Sequence, residues 1–286
     1  VVTFPAGFEH HSHGLTYFMK RLIASSIALA VAIAGAGATS GATAYSAPTP
    51  AQVDALPEAR YDAVIAGLMA YSSATVPRAA TAAYSLRADT ALYGDDRVTP
   101  VARLDAKNFM GVDTVVVPVR SDGDWTLVMT PARQKLPSES GGAAAAQTAG
   151  WIRTSAIAVA HQLKQHIVVS VSRQTLSIVG DDGSVVHSFR AGVGTTTTPT
   201  PVGVSGYLEA RYTDPSQGEA LYPIQLTSLH SSAADNPYGG TDGGLIGIHY
   251  NAVASGAVSH GCIRLSVAAI SAVNALPLGT VVLVSR

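Results

Sequence analysis

The sequence is poor in cysteine and in charge. One Cys, Cys262, stands among 286 residues, which excludes an intrachain disulfide, a Cys-rich zinc module and an iron–sulfur cluster. Charged residues make up 13% of the chain, about half the usual share, so Ser, Thr, Asn and Gln must keep much of the surface soluble. Lys plus Arg number 18 and Asp plus Glu 19, a net charge of -1. That balance leaves no electrostatic footprint for nucleic acid and no polybasic membrane patch. Hydrophobic residues, at 47%, are enough to fill a core.

The front of the chain reads as an address. Met19-Lys20-Arg21 is a short basic start, Leu22 to Ala34 runs apolar without a charge, and Ala42-Thr43-Ala44 fits an A-x-A cleavage site. This is the three-part pattern of a secretory signal peptide over 19–44. The alternative, a membrane anchor, is disfavoured because the apolar run falls short of the ~20 residues a spanning helix needs; no stable membrane span is expected after cleavage. Residues 1–18, with the metal-like tract His10-His11-Ser12-His13, precede this signal and read as an over-called leader. In an exported chain an unpaired Cys points to a reactive thiol or an intermolecular bridge, against the alternative of a small buried hydrophobe.

Residues 45–83 read as a linker with a short helix. Pro57 is placed to open that helix, and Tyr61, Val64, Ile65, Leu68 and Met69 follow at helical spacing as one apolar stripe. From about Tyr84 the period becomes that of strands. Val115 to Val119 and Trp125 to Met129 flank Asp122-Gly123, a hairpin signal. Ser138 to Ala149 reads as a loop and Gly150-Trp151-Ile152 as a closing strand. Ser155 to Gln165 reads as a bridge, with His161 and His166 on the surface. Beyond it come strands at Ile167–Val171, Thr175–Val179, Ser184–Ala191 and Thr280–Val284, with Ser266 capping a short helix over Val267–Ala275. Gly192-Val193-Gly194 lacks the third glycine of a nucleotide fingerprint, since Thr197 stands there. The fold class is mostly β with short helices.

The chemistry concentrates in Ile246-Gly247-Ile248-His249 and Ser259-His260-Gly261-Cys262-Ile263-Arg264-Leu265. A thiolate is the nucleophilic form of Cys, and a neighbouring imidazole can take the thiol proton. Gly261 lets the backbone approach a substrate and aim an N–H at a developing oxyanion. His249, at a strand end, is expected to meet Cys262 across a cleft. The residues alone support a secreted Cys–His acyl-transfer or hydrolytic site. Zinc on His249, His260 and Cys262 is the chemical rival, weakened by the two-residue spacing of His260 and Cys262 and by the lack of a carboxylate in the motif.

S-H-G-C-I-R with I-x-I-H upstream resembles the signature of the L,D-transpeptidase (YkuD-type) catalytic domain. Gly194 through Thr198-Pro199-Thr200-Pro201-Val202-Gly203 and Pro277-Leu278-Gly279-Thr280-Val281-Val282 extend the resemblance over about 167–286. G-D-W and G-W-I over 84–158 resemble the SH3-like β-barrel that precedes such domains in some secreted cell-wall enzymes. The resemblance implies a β-sandwich catalytic domain that acts on peptidoglycan stem peptides outside the membrane. It implies Cys262 as nucleophile, His249 as proton acceptor and donor, His260 and Gly261 shaping the site, and Ser259, Arg264 and Tyr250 binding substrate, with Arg264 on a substrate carboxylate or in a structural salt bridge. It further implies 3→3 cross-links through a thioester, acylation by carbapenems, and no metal or organic cofactor. The chain departs from the family at Tyr250, where many members carry Gly, and in a shorter 249–259 stretch. Tyr250 lines the pocket or packs; Tyr222, His230 and Tyr238 fall where a lid is expected, with core packing favoured for each. The same motifs allow an L,D-carboxypeptidase, and a non-catalytic wall-binding protein is the alternative from another class.

Overall fold

A computed structural model describes residues 45–215, 219–233 and 244–286. The expected signal peptide over 19–44, the expected leader over 1–18 and Tyr238 lie outside the described residues. Residues 45–162 carry α1 (Pro50–Asp54) and nine strands: β1 (Met69–Ala70), β2 (Ala82–Leu86), β3 (Thr90–Tyr93), β4 (Pro100–Leu104), β5 (Val115–Val116), β6 (Pro118–Asp122), β7 (Trp125–Thr130), β8 (Thr148–Arg153) and β9 (Ile157–Gln162). One sheet runs β4-β3-β8-β7-β6 with β1 on β8; a second runs β5-β2-β9. The hairpin expected at Asp122-Gly123 joins β6 to β7, with Gly123 at φ 56. Trp151 is fully buried.

Several elements differ from the sequence reading for identifiable reasons. No helix starts at Pro57. The helix lies earlier, where Thr49 and Gln52 form a capping box around Pro50. The stripe after Pro57 is a series of turns, Ala63 N–H to Arg60 O and Leu68 N–H to Ile65 O, because its backbone also finds partners elsewhere in the front region: Ala59 N–H bonds Arg103 O at 2.8 Å and Ile65 N–H bonds Arg133 O at 2.8 Å. Ile65 and Leu68 are buried as a stripe would bury them, whereas Val64 is 44% exposed. The 115–119 strand breaks at Val117, so β5 pairs with β2 and β6 with β7. The expected bridge after Ser155 is strand β9 along β2. The 138–149 loop holds a 3₁₀ turn at Ser138–Ser140 and gives way to β8 at Thr148.

Residues 165–286 carry β10 (Gln165–Ser170), β11 (Thr175–Gly180), β12 (Val185–Arg190), β13 (Gly192–Gly194), β14 (Val204–Asp214), β15 (Glu219–His230), β16 (Leu245–Tyr250), β17 (Gly256–Ser259), β18 (Ile263–Leu265), α2 (Val267–Asn274) and β19 (Val281–Ser285). The strands form one hydrogen-bonded path, β12-β11-β10-β19-β14-β15-β16-β18-β13-β17. Its two halves face a common core: Ile167, Leu176 and Val282 from one, Ile246, Ile248 and Ile263 from the other, closed by Ile270 and Val273 of α2. Ser266 stands at the N-cap of α2 but makes no side-chain cap bond.

Residues 45–162 and 165–286 are not separate in packing. Tyr207 and Val281 share a cluster with Val117 and Met129. Gly279, at φ +87, presses its Cα so close to Ala83 that an added Cβ would lie 2.2 Å from the Ala83 Cβ. No side chain other than hydrogen fits there, which gives the P-x-G-T segment a packing role. Among the described residues no helix is long and apolar enough to cross a membrane.

Candidate active site

β16 and β18 lie side by side and parallel, with Ile248 opposite Ile263, His249 opposite Arg264 and Tyr250 opposite Leu265. Side chains alternate along a strand. Ile248 and Ile263 point into the core and are fully buried, so Gly247, His249 and Arg264 point to the other face. Cys262, one residue before Ile263, joins them. A Cβ on Gly247 would lie 3.9 Å from Cys262 Sγ. The Gly247 N–H donates to that sulfur at 3.4 Å, and the thiol points at the Leu245 carbonyl at 3.5 Å. The thiol therefore sits over Gly247, one side-chain position along the strand from His249.

His249 Nδ1 donates to the Tyr250 carbonyl at 2.9 Å. A carbonyl only accepts, so Nδ1 holds the proton and Nε2 is the basic nitrogen of the neutral ring. A backbone carbonyl of the next residue thus helps to orient the imidazole.

The loop that presents Cys262 is braced from three sides. Gly261 has φ +111, and a Cβ there would meet Ile246 Cδ1 at 2.9 Å; only glycine makes this turn without strain. Ser259 Oγ donates to the Cys262 carbonyl at 2.6 Å and accepts from the Gly261 N–H at 3.2 Å. Ser259 is 2% exposed, so it holds the loop from below, where the sequence reading set it against substrate. Thr200 Oγ1 donates to the Gly261 carbonyl at 2.7 Å and accepts from the Gly194 N–H at 2.9 Å. Thr198 Oγ1 donates to the Ser259 carbonyl at 3.1 Å.

Sequence reasoning matched the T-P-T-P run as a motif without giving Thr198 or Thr200 a task. The available signal was hydroxyl-bearing β-branched residues locked between prolines. We expect Thr200→Val to leave the Gly194 N–H and the Gly261 carbonyl unpaired in a buried site, at a cost of about 2–4 kcal/mol. A thermal melt of the variant should fall by several degrees; an unchanged melt would remove Thr200 from the brace.

His260 is exposed at the rim. Arg264 is half-buried in register with His249, and its Nε is buried without a hydrogen-bond partner among the described residues. Tyr250 lies on the core side of β16, its ring 5.0 Å from that of Tyr222. Tyr222 and His230 are on strand β15 and not in a lid. His230 is buried, its Nε2 donating to the Tyr61 carbonyl at 2.8 Å. Burial first, then the charge of Arg133, holds its imidazole down to about 4.

The family model of the L,D-transpeptidase catalytic domain matches residues 164–284. Those residues are an L,D-transpeptidase catalytic domain, a class that acts on cell-wall peptidoglycan. Among solved structures the chain is similar to an L,D-transpeptidase from Mycobacterium tuberculosis H37Rv, with 20% identity, 60% of this chain and 90% of that one covered, and TM-score 0.34. An L,D-transpeptidase from Mycobacterium smegmatis gives 16% identity, 57% and 91% coverage and TM-score 0.32. An L,D-transpeptidase in complex with imipenem gives 15%, 56% and 90%, and 0.33. No curated protein matches the chain.

Proposed function

We propose that this chain is an exported L,D-transpeptidase that joins peptidoglycan stem peptides by 3→3 cross-links through a thioester on Cys262. The observation that carries the reading is the placement of the Cys262 thiol over Gly247, on the same strand face as His249. His249 Nε2 takes the thiol proton, and the Gly247 N–H supports the charge on sulfur. The thiolate attacks the carbonyl carbon of the third residue of a donor tetrapeptide. The Gly261 N–H is committed to Ser259 Oγ, so the N–H of Cys262 itself is the donor we assign to the oxyanion. The C–N bond to the terminal D-Ala then breaks, and the imidazolium gives its proton to the departing amine. The side-chain amine of a third residue on another stem attacks the thioester carbon, the C–S bond breaks, and the amine proton passes through His249 to the departing thiolate, which restores the thiol.

His260 at the rim and Arg264 beside His249 fit roles toward the acceptor and a substrate carboxylate. We keep the front region's SH3-like character and the export signal as parts of the same proposal. Carbapenems, one of which is held by a similar solved enzyme, are expected to acylate Cys262.

The test is product analysis on a tetrapeptide substrate. Cross-linked dimers are the expected result. Tripeptide alone would make the chain an L,D-carboxypeptidase. No turnover, with wall binding retained, would favour a non-catalytic binding protein.

A further inference from the structure

The face that carries Cys262 and His249 continues across the sheet to β14. Tyr212 is opposite Ile224, and Gln225 is opposite Ile248. Ile224 therefore falls beside His249, and the row reads Tyr212–Ile224–His249–Arg264. With strands about 4.8 Å apart, Tyr212 stands roughly 10 Å from His249. Between them stands Ile224, which is buried, while Gly247, without a side chain, lies beside His249 and under Cys262. The Cys262 sulfur is among the charges felt by the Tyr212 hydroxyl, after burial, Asp214 and Tyr61.

On the Tyr212 side, the front region meets this face. Phe109, from the front region, stands edge-on to Tyr212 with ring centroids 6.4 Å apart, and Tyr61 packs on Phe109 at 4.7 Å. The loop that carries Phe109 has a fixed form. Asn108 Oδ1 accepts the Met110 N–H at 2.9 Å, the Asn108 N–H bonds the Val112 carbonyl at 2.8 Å, and Lys107 pairs with Asp113 at 2.6 Å. With those two charges paired to each other, the tip offers apolar surface: Phe109 is 38% and Met110 44% exposed. Apolar side chains exposed next to Tyr212 gain when an apolar group covers them.

We propose that the Lys107–Asp113 loop is a substrate-binding element, with Phe109 forming, against Tyr212, the apolar wall that receives the alkyl portion of the stem peptide opposite Cys262. The proposal rests on the acyl-transfer reading of the site. It makes the front region part of the substrate site and Phe109 a specificity-determining residue. Phe109 touches no reacting atom, so its removal should weaken substrate binding without altering the thiol.

Equilibrium binding of a meso-diaminopimelate tetrapeptide to Cys262→Ala, where the peptide stays intact, tests this directly. Phe109→Ala in that background should weaken Kd about tenfold, near 1.4 kcal/mol, and Phe109→Tyr should restore it. In the otherwise native chain, Phe109→Ala should leave the iodoacetamide alkylation rate of Cys262 within about twofold, as expected of a group outside hydrogen-bond reach of the thiol. An unchanged Kd, or no peptide binding in either background, overturns the proposal. So does an alkylation rate that falls in step with binding, because Phe109 would then only support the fold. Should Phe109→Ala melt early, Met110→Ala, which leaves the aromatic contacts intact, takes its place with a smaller loss expected. Peptide binding that depends on Phe109 in a parent protein without turnover would sink the transpeptidase reading and leave the wall standing.

Discussion

Cys262→Ala is expected to abolish both turnover of a tetrapeptide and the drug-sized mass gain on carbapenem treatment, while the protein melts close to the parent. The sulfur is half-buried and its protein contacts are weak: one N–H at 3.4 Å and one carbonyl at 3.5 Å. Its removal should therefore cost little stability. His249→Gln should retain slow acylation, because the thiol stays in place with its Gly247 N–H contact. The loss of general-base catalysis should lower the rate about 10²–10⁴-fold. The two variants separate the roles: an intact-mass measurement should show no adduct on Cys262→Ala and a delayed, complete adduct on His249→Gln. Equal adduct rates in His249→Gln and the parent would remove His249 from the proton path. An adduct on Cys262→Ala would place the nucleophile elsewhere.

The site was legible in the sequence because its chemistry is local. Gly247, His249, Gly261 and Cys262 lie within two short segments. A strand period of two suffices to put His249 and Gly247 on one face, and parallel pairing of β16 with β18 brings Cys262 to it. The hairpin at Gly123 and the strands from β10 to β12 were legible for the same reason. What was not legible depends on partners distant in sequence. The stripe after Pro57 has helical spacing, yet Arg103 and Arg133 take some of its backbone hydrogen bonds and the rest forms turns; tertiary pairing overrides propensity there. Ser259 and Arg264 both read as substrate contacts. Ser259 proves to be a buried clamp whose Oγ bonds the Cys262 carbonyl and the Gly261 N–H, and only the folded loop shows that it is buried. His230 read as a lid or core residue, and only the fold shows that it fastens Tyr61 to β15.

That same seam yields the second large expectation, a loss of stability toward alkaline pH caused by Glu209. Glu209 is the extra residue where the β14–β15 register slips between Leu208 and Ala210. It is 8% exposed, and its Oε2 has no hydrogen-bond partner among the described residues. Burial first, then the nearby Asp62, pushes its carboxyl from the ordinary 4.5 up to about 8. Between those values the native chain holds a proton that the unfolded chain has released, so stability falls as pH rises. His230 acts in the opposite sense. Its folded value near 4 lies below the ordinary 6.5, so the unfolded chain binds the extra proton in that interval and stability rises with pH. From 4.5 to 6.5 the two slopes cancel. From 6.5 to 8 Glu209 acts without that counterweight, and the parent should lose about 2 kcal/mol, at 1.36 kcal/mol per unit. Glu209→Gln keeps the size of the side chain and removes the titration. Between pH 5 and pH 8 it should gain about 4 kcal/mol relative to the parent, read from urea midpoints at pH 5, 6.5 and 8. Parallel profiles for the two proteins would show that Glu209 ionises in the native state near its ordinary value. Because Asp62 adjoins Tyr61, whose carbonyl takes the His230 hydrogen bond and whose ring supports Phe109, charge on Glu209 is placed to loosen the front region where it meets the catalytic face. Glu209→Gln should therefore also extend peptide binding to higher pH, and it should do so without altering how readily Cys262 is alkylated.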